Sequence, residues 1–293
     1  MLEKNLKNLG QSIHDVRVKL NLSQKELAKG ICSQSQISKI ESGEISPYIH
    51  TLIKISKKLG IHPSFFVNQV YKDQYEFIND SRTMIRKAVH LKDYREVKRL
   101  VNHFSKHPSF QGIEEKQFLI WHKGIATYYL DKDFEKSIAI LTEAYNMKNS
   151  IQYTEQDIQI LNSLAIIFSE EEQWYLAKEK FITAINVFNE SFVPLDISIY
   201  IRLCYNVSKL LLDLKEYKES LFYAEKGLEL CKHNNSNYLF GELLYQKGSL
   251  LVKLDNINDG LKFLQNSCTI FEVLNKESYL TTVKKEIKEL ENK

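Results

Sequence analysis

A period of about 40 residues runs through the last two thirds of the sequence. The same short pattern returns five times, at Asp93-Tyr94, Asp133-Phe134, Gln173-Trp174, Glu216-Tyr217 and Asn256-Ile257, with spacings of 40, 40, 43 and 40 residues. In the last four copies small residues follow at the third and tenth positions, as the pairs Ser137/Ala144, Ala177/Ala184, Ser220/Gly227 and Gly260/Ser267. These offsets share one helix face, where small residues let a neighbouring helix approach closely. The pattern predicts stacked repeat units.

A second amphipathic helix is predicted before each of the last four copies, over residues 115–130, 155–170, 197–213 and 238–253. Two helices per unit indicate antiparallel pairs of the tetratricopeptide kind, and the whole chain is predicted to be all-α. About five such pairs are expected to coil into a right-handed superhelix whose concave face suits an extended peptide. Residues 276–293 are charged and are predicted to form a polar cap.

Residues 1–66 are predicted to contain five short helices. The first carries an apolar face of Leu9, Ile13, Val16 and Leu20, the second runs from Ser23 to Gly30, the third from Ser33 to Gly43, the fourth from Ser46-Pro47 to Leu59, and the fifth begins near Ser64. Ser23 with Glu26, and Ser33 with Gln36, have the spacing of capping boxes. A tight turn between the second and third helices predicts a helix-turn-helix.

Polar side chains are dense on the third helix, which can lie in a DNA major groove with its first turn against the base edges. Residues predicted to face bases are Gln34, Ser35, Gln36 and Ser38, and those predicted to face phosphates are Gln24, Lys25 and Lys39. Amides suit base edges because a glutamine can bond adenine at two points. The alternative is that these residues only cap helices, which explains Ser23 and Ser33 but not the whole set.

The segment resembles the phage-repressor (XRE) type of helix-turn-helix over roughly residues 9–66. The matching residues are Arg17, Leu22-Ser23-Gln24, Leu27-Ala28, Ser35, Ile37-Ser38, Ile40-Glu41, Gly43, Pro47, Leu52, Ile55 and Leu59-Gly60-Ile61. Arg17 and Glu41 are expected to form an internal ion pair between the first and third helices. We therefore divide the chain into a DNA-binding domain at 1–66, a linker helix at 67–80 and a repeat domain at 81–293.

Charge supports that division. Residues 1–63 carry ten Lys/Arg and five Asp/Glu, whereas the remainder carries thirty and thirty-two. A basic module joined to a neutral body indicates a polyanion partner for the amino-terminal part. No export signal, membrane span, paired cysteine motif or catalytic motif is apparent, so the chain is expected to be cytoplasmic, with no membrane partner, no cofactor and no enzymatic activity. His103 and His107 have metal-ligand spacing, but no metal site is predicted because a helix end separates them.

Two asparagines, Asn162 and Asn206, occupy comparable positions on the first helices of their pairs, on the face that usually lines a repeat groove. An asparagine side chain can bond both the N–H and the C=O of an extended ligand backbone. A capping or solvated role is the alternative, and periodicity alone leaves the two readings open.

The full chain is similar to the peptide-responsive regulators of Gram-positive bacteria, the Rgg, Rap, NprR, PlcR and PrgX group, and most of all to its PlcR-like members. The most telling stretches are YNVSK at 205–209, YKESL at 217–221 and GELLYQKG at 241–248. The resemblance implies a homodimeric quorum-sensing transcription factor that binds double-stranded DNA at a palindromic operator. A short re-imported signalling peptide would switch it, and RNA polymerase is a further candidate partner.

The resemblance also implies peptide-binding residues. Asn162 and Asn206 match asparagines that hold the peptide backbone in the family, and Lys92 matches a lysine that faces an acidic peptide. His90 stands where the family has a second lysine, and Glu242 stands where it has a groove glutamine. These departures predict a ligand less acidic than the family's best-known peptide.

Two other functions remain open on the sequence. The repeats could bind a partner protein, as Rap-type proteins bind response regulators, with the helix-turn-helix serving as a docking module. Alternatively, the groove could hold a non-peptide small molecule while the DNA-binding function stays the same.

Overall fold

The computed structural model describes residues 2–70, 72–147 and 152–291, and over these residues the chain is helical and contains no β-strand. The helices divide into two compact units, Met1–Leu91 and Lys92–Lys293. The predicted all-α fold, with a helix-turn-helix followed by a helical repeat domain, is confirmed. Within the described residues, no helix is long and apolar enough to cross a membrane.

The first unit contains six helices within its described residues. They are α1 Leu2–Lys19, α2 Gln24–Ala28, α3 Gln34–Glu41, α4 Ile49–Leu59, α5 Pro63–Val70 and α6 Lys72–His90. The segment 67–80, proposed as a linker helix, spans the end of α5 and the first part of α6, and α6 continues to His90.

Two details of this unit differ from the prediction. Leu20 lies beyond the end of α1 and is exposed, so it is not part of the buried face with Leu9 and Ile13. The fourth helix begins at Ile49 and not at Pro47, because Tyr48 has extended backbone angles (φ −61°, ψ 152°) that cannot continue a helix. Proline fixes only its own φ, so it marks the neighbourhood of a helix start and not its residue.

The core of the first unit gathers one or more apolar residues from each of α1 to α5. Its buried members are Leu9, Ile13, Leu27, Ala28, Ile37, Ile40, Leu52, Ile55, Leu59 and Phe66. Gly10 in α1 lies so close to the end of α3 that an added Cβ would stand 2.3 Å from the Ile40 carbonyl oxygen. This contact fixes α3 against α1 and leaves the opposite side of α3 to the solvent.

The second unit consists of paired helices preceded by α7 and followed by α16. Its helices are α7 Tyr94–Phe104, α8 Ile113–Asp131, α9 Phe134–Asn146, α10 Glu155–Glu170, α11 Trp174–Asn189, α12 Ile197–Asp213, α13 Tyr217–His233, α14 Phe240–Lys253, α15 Ile257–Val273 and α16 Glu277–Glu291, with a short 3-10 helix at Pro108–Phe110. The pairs α8/α9, α10/α11, α12/α13 and α14/α15 pack along each other. The predicted first helices at 155–170 and 197–213 have the bounds of α10 and α12.

The small residues at the third and tenth positions of the second helices are buried, as predicted. In the pair α12/α13, Ser220 Oγ donates to the Ser208 carbonyl oxygen at 2.6 Å and Ser208 Oγ donates to the Ser220 carbonyl oxygen at 2.9 Å. In the pair α14/α15, a Cβ on Gly260 would stand 3.0 Å from the Gly248 carbonyl oxygen. The small side chains therefore bring the two backbones of a pair together.

A left-handed residue stands two positions before α7 and two positions before the second helix of each pair. These residues are Lys92, Lys132, Glu172, Lys215 and Asp255, with φ between 57° and 63°. A residue with positive φ ends an α-helix and turns the chain back, and a non-glycine residue does so at a cost in backbone energy. The turn is therefore repeated at the same 40-residue period as the helices.

Candidate DNA-binding and peptide-binding sites

Both helices of the helix-turn-helix begin with a complete capping box. Ser23 Oγ accepts from the Glu26 N–H at 3.2 Å while Glu26 Oε2 accepts from the Ser23 N–H at 2.7 Å. Ser33 Oγ accepts from the Gln36 N–H at 3.1 Å, and Gln36 Oε1 accepts from the Ser33 N–H at 3.3 Å. The two predicted caps are confirmed, and the pKa of Glu26 is lowered by its bonds from Ser23.

The outer side of α3 carries the polar residues that the sequence singled out. Gln34, Ser35, Gln36 and Lys39 are exposed, Ser38 is half-buried, and Ile37 and Ile40 on the inner side are buried. On α2, Lys25 is exposed and Gln24 is half-buried. The exposed row mixes donors, acceptors and positive charge on the side of α3 that the first unit leaves uncovered.

A chain of hydrogen bonds links this surface to the interior of the unit. Arg17 Nε and Nη2 donate to the two carboxylate oxygens of Glu41 at 2.6 and 2.8 Å, and Arg17 Nη1 donates to the Leu22 carbonyl oxygen at 2.7 Å. The predicted internal ion pair is confirmed, and its hydrogen bonds raise the pKa of Arg17. Gln24 Nε2 donates to Glu41 Oε2 at 2.9 Å, and Gln34 Nε2 donates to Gln24 Oε1 at 2.7 Å.

These hydrogen bonds change the role assigned to Gln24, which was expected to contact a DNA phosphate. Both polar atoms of its side chain bond to other side chains of the unit, so Gln24 supports Gln34 and Glu41. The sequence did not indicate the bond between Gln24 and Gln34, which lie ten residues apart on two different helices.

In the second unit, Asn162 on α10 and Asn206 on α12 are brought into direct contact. Asn206 Nδ2 donates to Asn162 Oδ1 at 2.8 Å, and Asn162 is only 7% exposed. Both stand in the interior of their helices, which excludes the capping alternative. Their bond uses one N–H of Asn206 and one acceptor site of Asn162, so each amide retains further donors and lone pairs.

Glu242 on α14 is buried, with 4% of its surface exposed, and it forms an ion pair with Lys276 in the turn before α16. The pair carries no net charge. Because Lys276 offsets the charge of the Glu242 carboxylate, Glu242 alone gives little reason to expect a less acidic ligand, and that expectation stays a prediction. No periodic signal marks Lys276, since it lies in a turn outside the repeated helices.

His90 and Lys92 are both exposed. His90 is the last residue of α6 in the first unit, and Lys92 is the first residue of the second unit, in its left-handed turn. Lys92 belongs to the same unit as the asparagine pair, whereas His90 belongs to the first unit. His107 Nδ1 accepts from the Ser109 N–H at 3.2 Å, so it caps the 3-10 helix. No cluster of metal-ligating side chains occurs within the described part of the chain.

Comparison with known proteins places these features in a family. The RNPP family C-terminal domain matches residues 82–290, and a helix-turn-helix family matches residues 13–66. No curated protein sequence matches the chain.

Among solved structures, the chain is similar to Bacillus thuringiensis PlcR in complex with the peptide PapR7 and DNA, with 28% identity, a TM-score of 0.79, and coverage of 94% of this chain and 99% of that one. It is also similar to PlcR in its apo form, with 26% identity, a TM-score of 0.69 and coverage of 96% and 99%. The SHP pheromone receptor Rgg2 of Streptococcus dysgalactiae shares the fold, at 18% identity, a TM-score of 0.65 and coverage of 96% and 99%. The chain belongs to the RNPP family, as a PlcR-like member of these peptide-responsive helix-turn-helix transcriptional regulators.

Proposed function

We propose that this chain binds a palindromic DNA operator as a homodimer and is switched by a short signalling peptide held at the Asn162–Asn206 pair. The exposed row of polar side chains on α3 is the observation that supports the DNA-binding part of this proposal. A regulator of this kind acts in the cytoplasm, where a bacterial chromosome lies. We assign residues 1–66 to DNA binding, 67–80 to the connecting segment and 81–293 to the repeat part; the compact units divide between Leu91 and Lys92, so the first residues of the assigned repeat part lie on α6 of the first unit.

The α3 row suits base recognition because its amides and hydroxyls stand at the first turn of an exposed helix. Gln34 is held by its bond to Gln24, so less side-chain freedom is lost when it meets a base edge. Lys25 and Lys39 flank the row and supply phosphate contacts. In a dimer, two such helices would read half-sites about 34 Å apart, one turn of DNA.

The asparagine pair suits a peptide because its remaining donors and acceptors match both groups of an extended backbone. The pair joins α10 to α12, so a ligand bonded to it touches two repeat units at once. Binding would favour one arrangement of the stacked units, and the spacing of the DNA-binding helices in the dimer would follow.

The DNA half is tested by selecting binding sites from a random DNA pool with the wild-type chain and with Gln34→Ala. Loss of a two-point contact to adenine lowers discrimination at that position by about 1–3 kcal/mol. Gln11→Ala on the exposed side of α1 is the matched control. We expect a palindromic consensus that Gln11→Ala keeps and Gln34→Ala relaxes. An unchanged consensus for Gln34→Ala would remove the role assigned to α3.

The peptide half is tested with short synthetic peptides selected on the wild-type chain from a randomised library. Asn206→Ala should weaken the selected peptide about tenfold, and Asn186→Ala, an exposed asparagine on α11, should leave its affinity unchanged. The peptide should also shift the affinity of wild-type protein for the selected DNA. A peptide that binds without any such shift would favour the adaptor function over the switch.

A further inference from the structure

A cavity of about 120 Å³ lies between α7, α8 and α9, in the first part of the second unit. Three of its lining residues are buried, namely Val101 of α7 and Ala126 and Thr127 of α8. The cavity has room for a few water molecules or for one small ion. Every residue that lines it comes from α7, α8 or α9, whereas the Asn162–Asn206 pair lies on α10 and α12. The cavity is therefore separate from the proposed peptide-binding residues.

The charged side chains that line this cavity are mostly positive. Lys98, Lys123 and Lys136, one from each helix, are exposed and line it together with a single carboxylate, that of Asp131. Lys98 Nζ donates to both carboxylate oxygens of Asp131, at 2.8 and 3.0 Å. Within the described residues, the ammonium groups of Lys123 and Lys136 make no hydrogen bond and no ion pair. The lining therefore carries two net positive charges.

The arrangement of these lysines suits an anion. Like charges repel, so an anion between the lysines would replace their repulsion with attraction. Lysine binds phosphate as a compact point charge with three donors, and hydrogen bonds from it to an ionised oxygen are stronger than neutral ones. A phosphate dianion matches the two net charges of the lining. The amide of Asn102, which also lines the cavity, can donate to a further phosphate oxygen.

We propose that the cavity between α7, α8 and α9 binds the phosphate group of a small molecule, held by Lys123 and Lys136. The ligand is inorganic phosphate or the phosphate end of a phosphorylated metabolite, which share the same dianion. Asp131 opposes binding by its own negative charge and by occupying Lys98. A phosphate of the DNA backbone matches the site less well, because a diester carries one charge and is flanked by a sugar on each side. The inference does not depend on the proposed operator or signalling peptide.

The experiment is a calorimetric titration of the full chain with inorganic phosphate, above neutral pH and at an ionic strength fixed with sodium chloride. Lys123→Met and Lys136→Met each remove one charge and keep an unbranched side chain. Each should weaken phosphate binding about fivefold, a modest factor because both lysines are partly in solvent. Asp131→Asn removes the opposing charge and should tighten binding about fivefold. Lys218→Met, at an exposed position of α13, is the control and should leave the affinity unchanged.

A variant without a change of charge tests the cavity itself. Ala126→Leu adds bulk at a buried lining position and keeps every lysine, so it should weaken phosphate binding at least about tenfold if the ion enters the cavity. Circular dichroism of the free variant should show an unchanged helical fold. Binding by a folded Ala126→Leu variant that equals that of wild type would mean that phosphate meets only diffuse surface charge, and would overturn the inference.

Two further results would also overturn it. One is wild-type protein that binds neither inorganic phosphate nor glycerol phosphate. The other is phosphate binding that Lys123→Met and Lys136→Met leave unchanged, or that they weaken no more than Lys218→Met does. The same titration with glycerol phosphate distinguishes the two sources of the dianion. Tighter binding of glycerol phosphate than of inorganic phosphate, lost in the same variants, assigns the site to a phosphorylated metabolite, and weaker binding assigns it to the free ion.

Discussion

The buried ion pair between Arg17 and Glu41 offers a sharp test of how the first unit is held together. The side chains are 10% and 4% exposed, and the guanidinium meets the carboxylate at two points. We consider Glu41→Leu, Arg17→Met and the double variant. Either single change leaves one buried charge without its partner, whereas the double change removes both charges.

The size of the effect follows from this asymmetry. Removing one partner of a buried pair costs about 3–5 kcal/mol, whereas replacing both partners with apolar residues is often nearly neutral. For a unit of about 90 residues, 3 kcal/mol lowers Tm by at least about 12 °C. Each single variant should therefore lose most of the stability of the first unit, and the double variant should lose far less than the sum.

The two tryptophans, Trp121 and Trp174, both belong to the second unit, which makes the assay selective. Far-UV circular dichroism follows the helices of both units, and tryptophan fluorescence follows the second unit alone. In the single variants we expect an early loss of helical signal at a denaturant concentration where fluorescence has not changed. Double-mutant analysis then gives the coupling energy. A double variant as unstable as the two singles added together would refute the reasoning.

Three further predictions concern stability. Gly10→Ala places a Cβ 2.3 Å from the Ile40 carbonyl oxygen, so the free energy of unfolding of the first unit should fall by about 1–3 kcal/mol. An unchanged Tm would contradict the close packing of α1 on α3. The pKa of Glu26 lies below its ordinary value of 4.5, so the stabilisation that its carboxylate gives is present above pH 4.5 and is lost as the pH falls through the lower folded value. The difference in Tm between wild type and Glu26→Gln should therefore shrink in acid, and a constant difference would exclude the charged cap as its source. Burial raises the pKa of Tyr205 from 10 to about 12, so the stability that its protonated hydroxyl gives is fully present below pH 10 and is lost as the pH rises through about 12. Tyr205→Phe should therefore lessen the alkaline loss of stability, measured by circular dichroism. An identical loss in the variant would show that another group is responsible.

The helices of the repeats could be predicted because their signals are local. The sequence shows directly the small residues at the third and tenth positions of the second helices and the polar residue before each of these helices. It also shows the capping boxes at Ser23 and Ser33. The helix starts that were misplaced, such as Ile49, depend on the backbone angles of one residue. A sequence pattern does not fix those angles within one or two positions.

The side-chain contacts between helices were harder to predict. Asn162 and Asn206 lie 44 residues apart in sequence, and whether they meet depends on rotamers and on the offset between two repeats. The partner of Glu242 comes from a turn with no periodic signal.

The left-handed turn residues Lys92, Lys132, Glu172, Lys215 and Asp255 bear on how such a chain can change over evolution. Each of the four helix pairs ends its own first helix with its own turn residue, and no pair depends on a neighbouring pair for that signal. A duplication or deletion of one whole unit therefore leaves the helix boundaries on either side intact. Because repeat domains are stabilised mainly by contacts between adjacent units, such an event would change the length of the concave surface without redesigning the rest. The number of side-chain positions along the concave surface can therefore change when a whole helix pair is gained or lost, without any substitution within a pair.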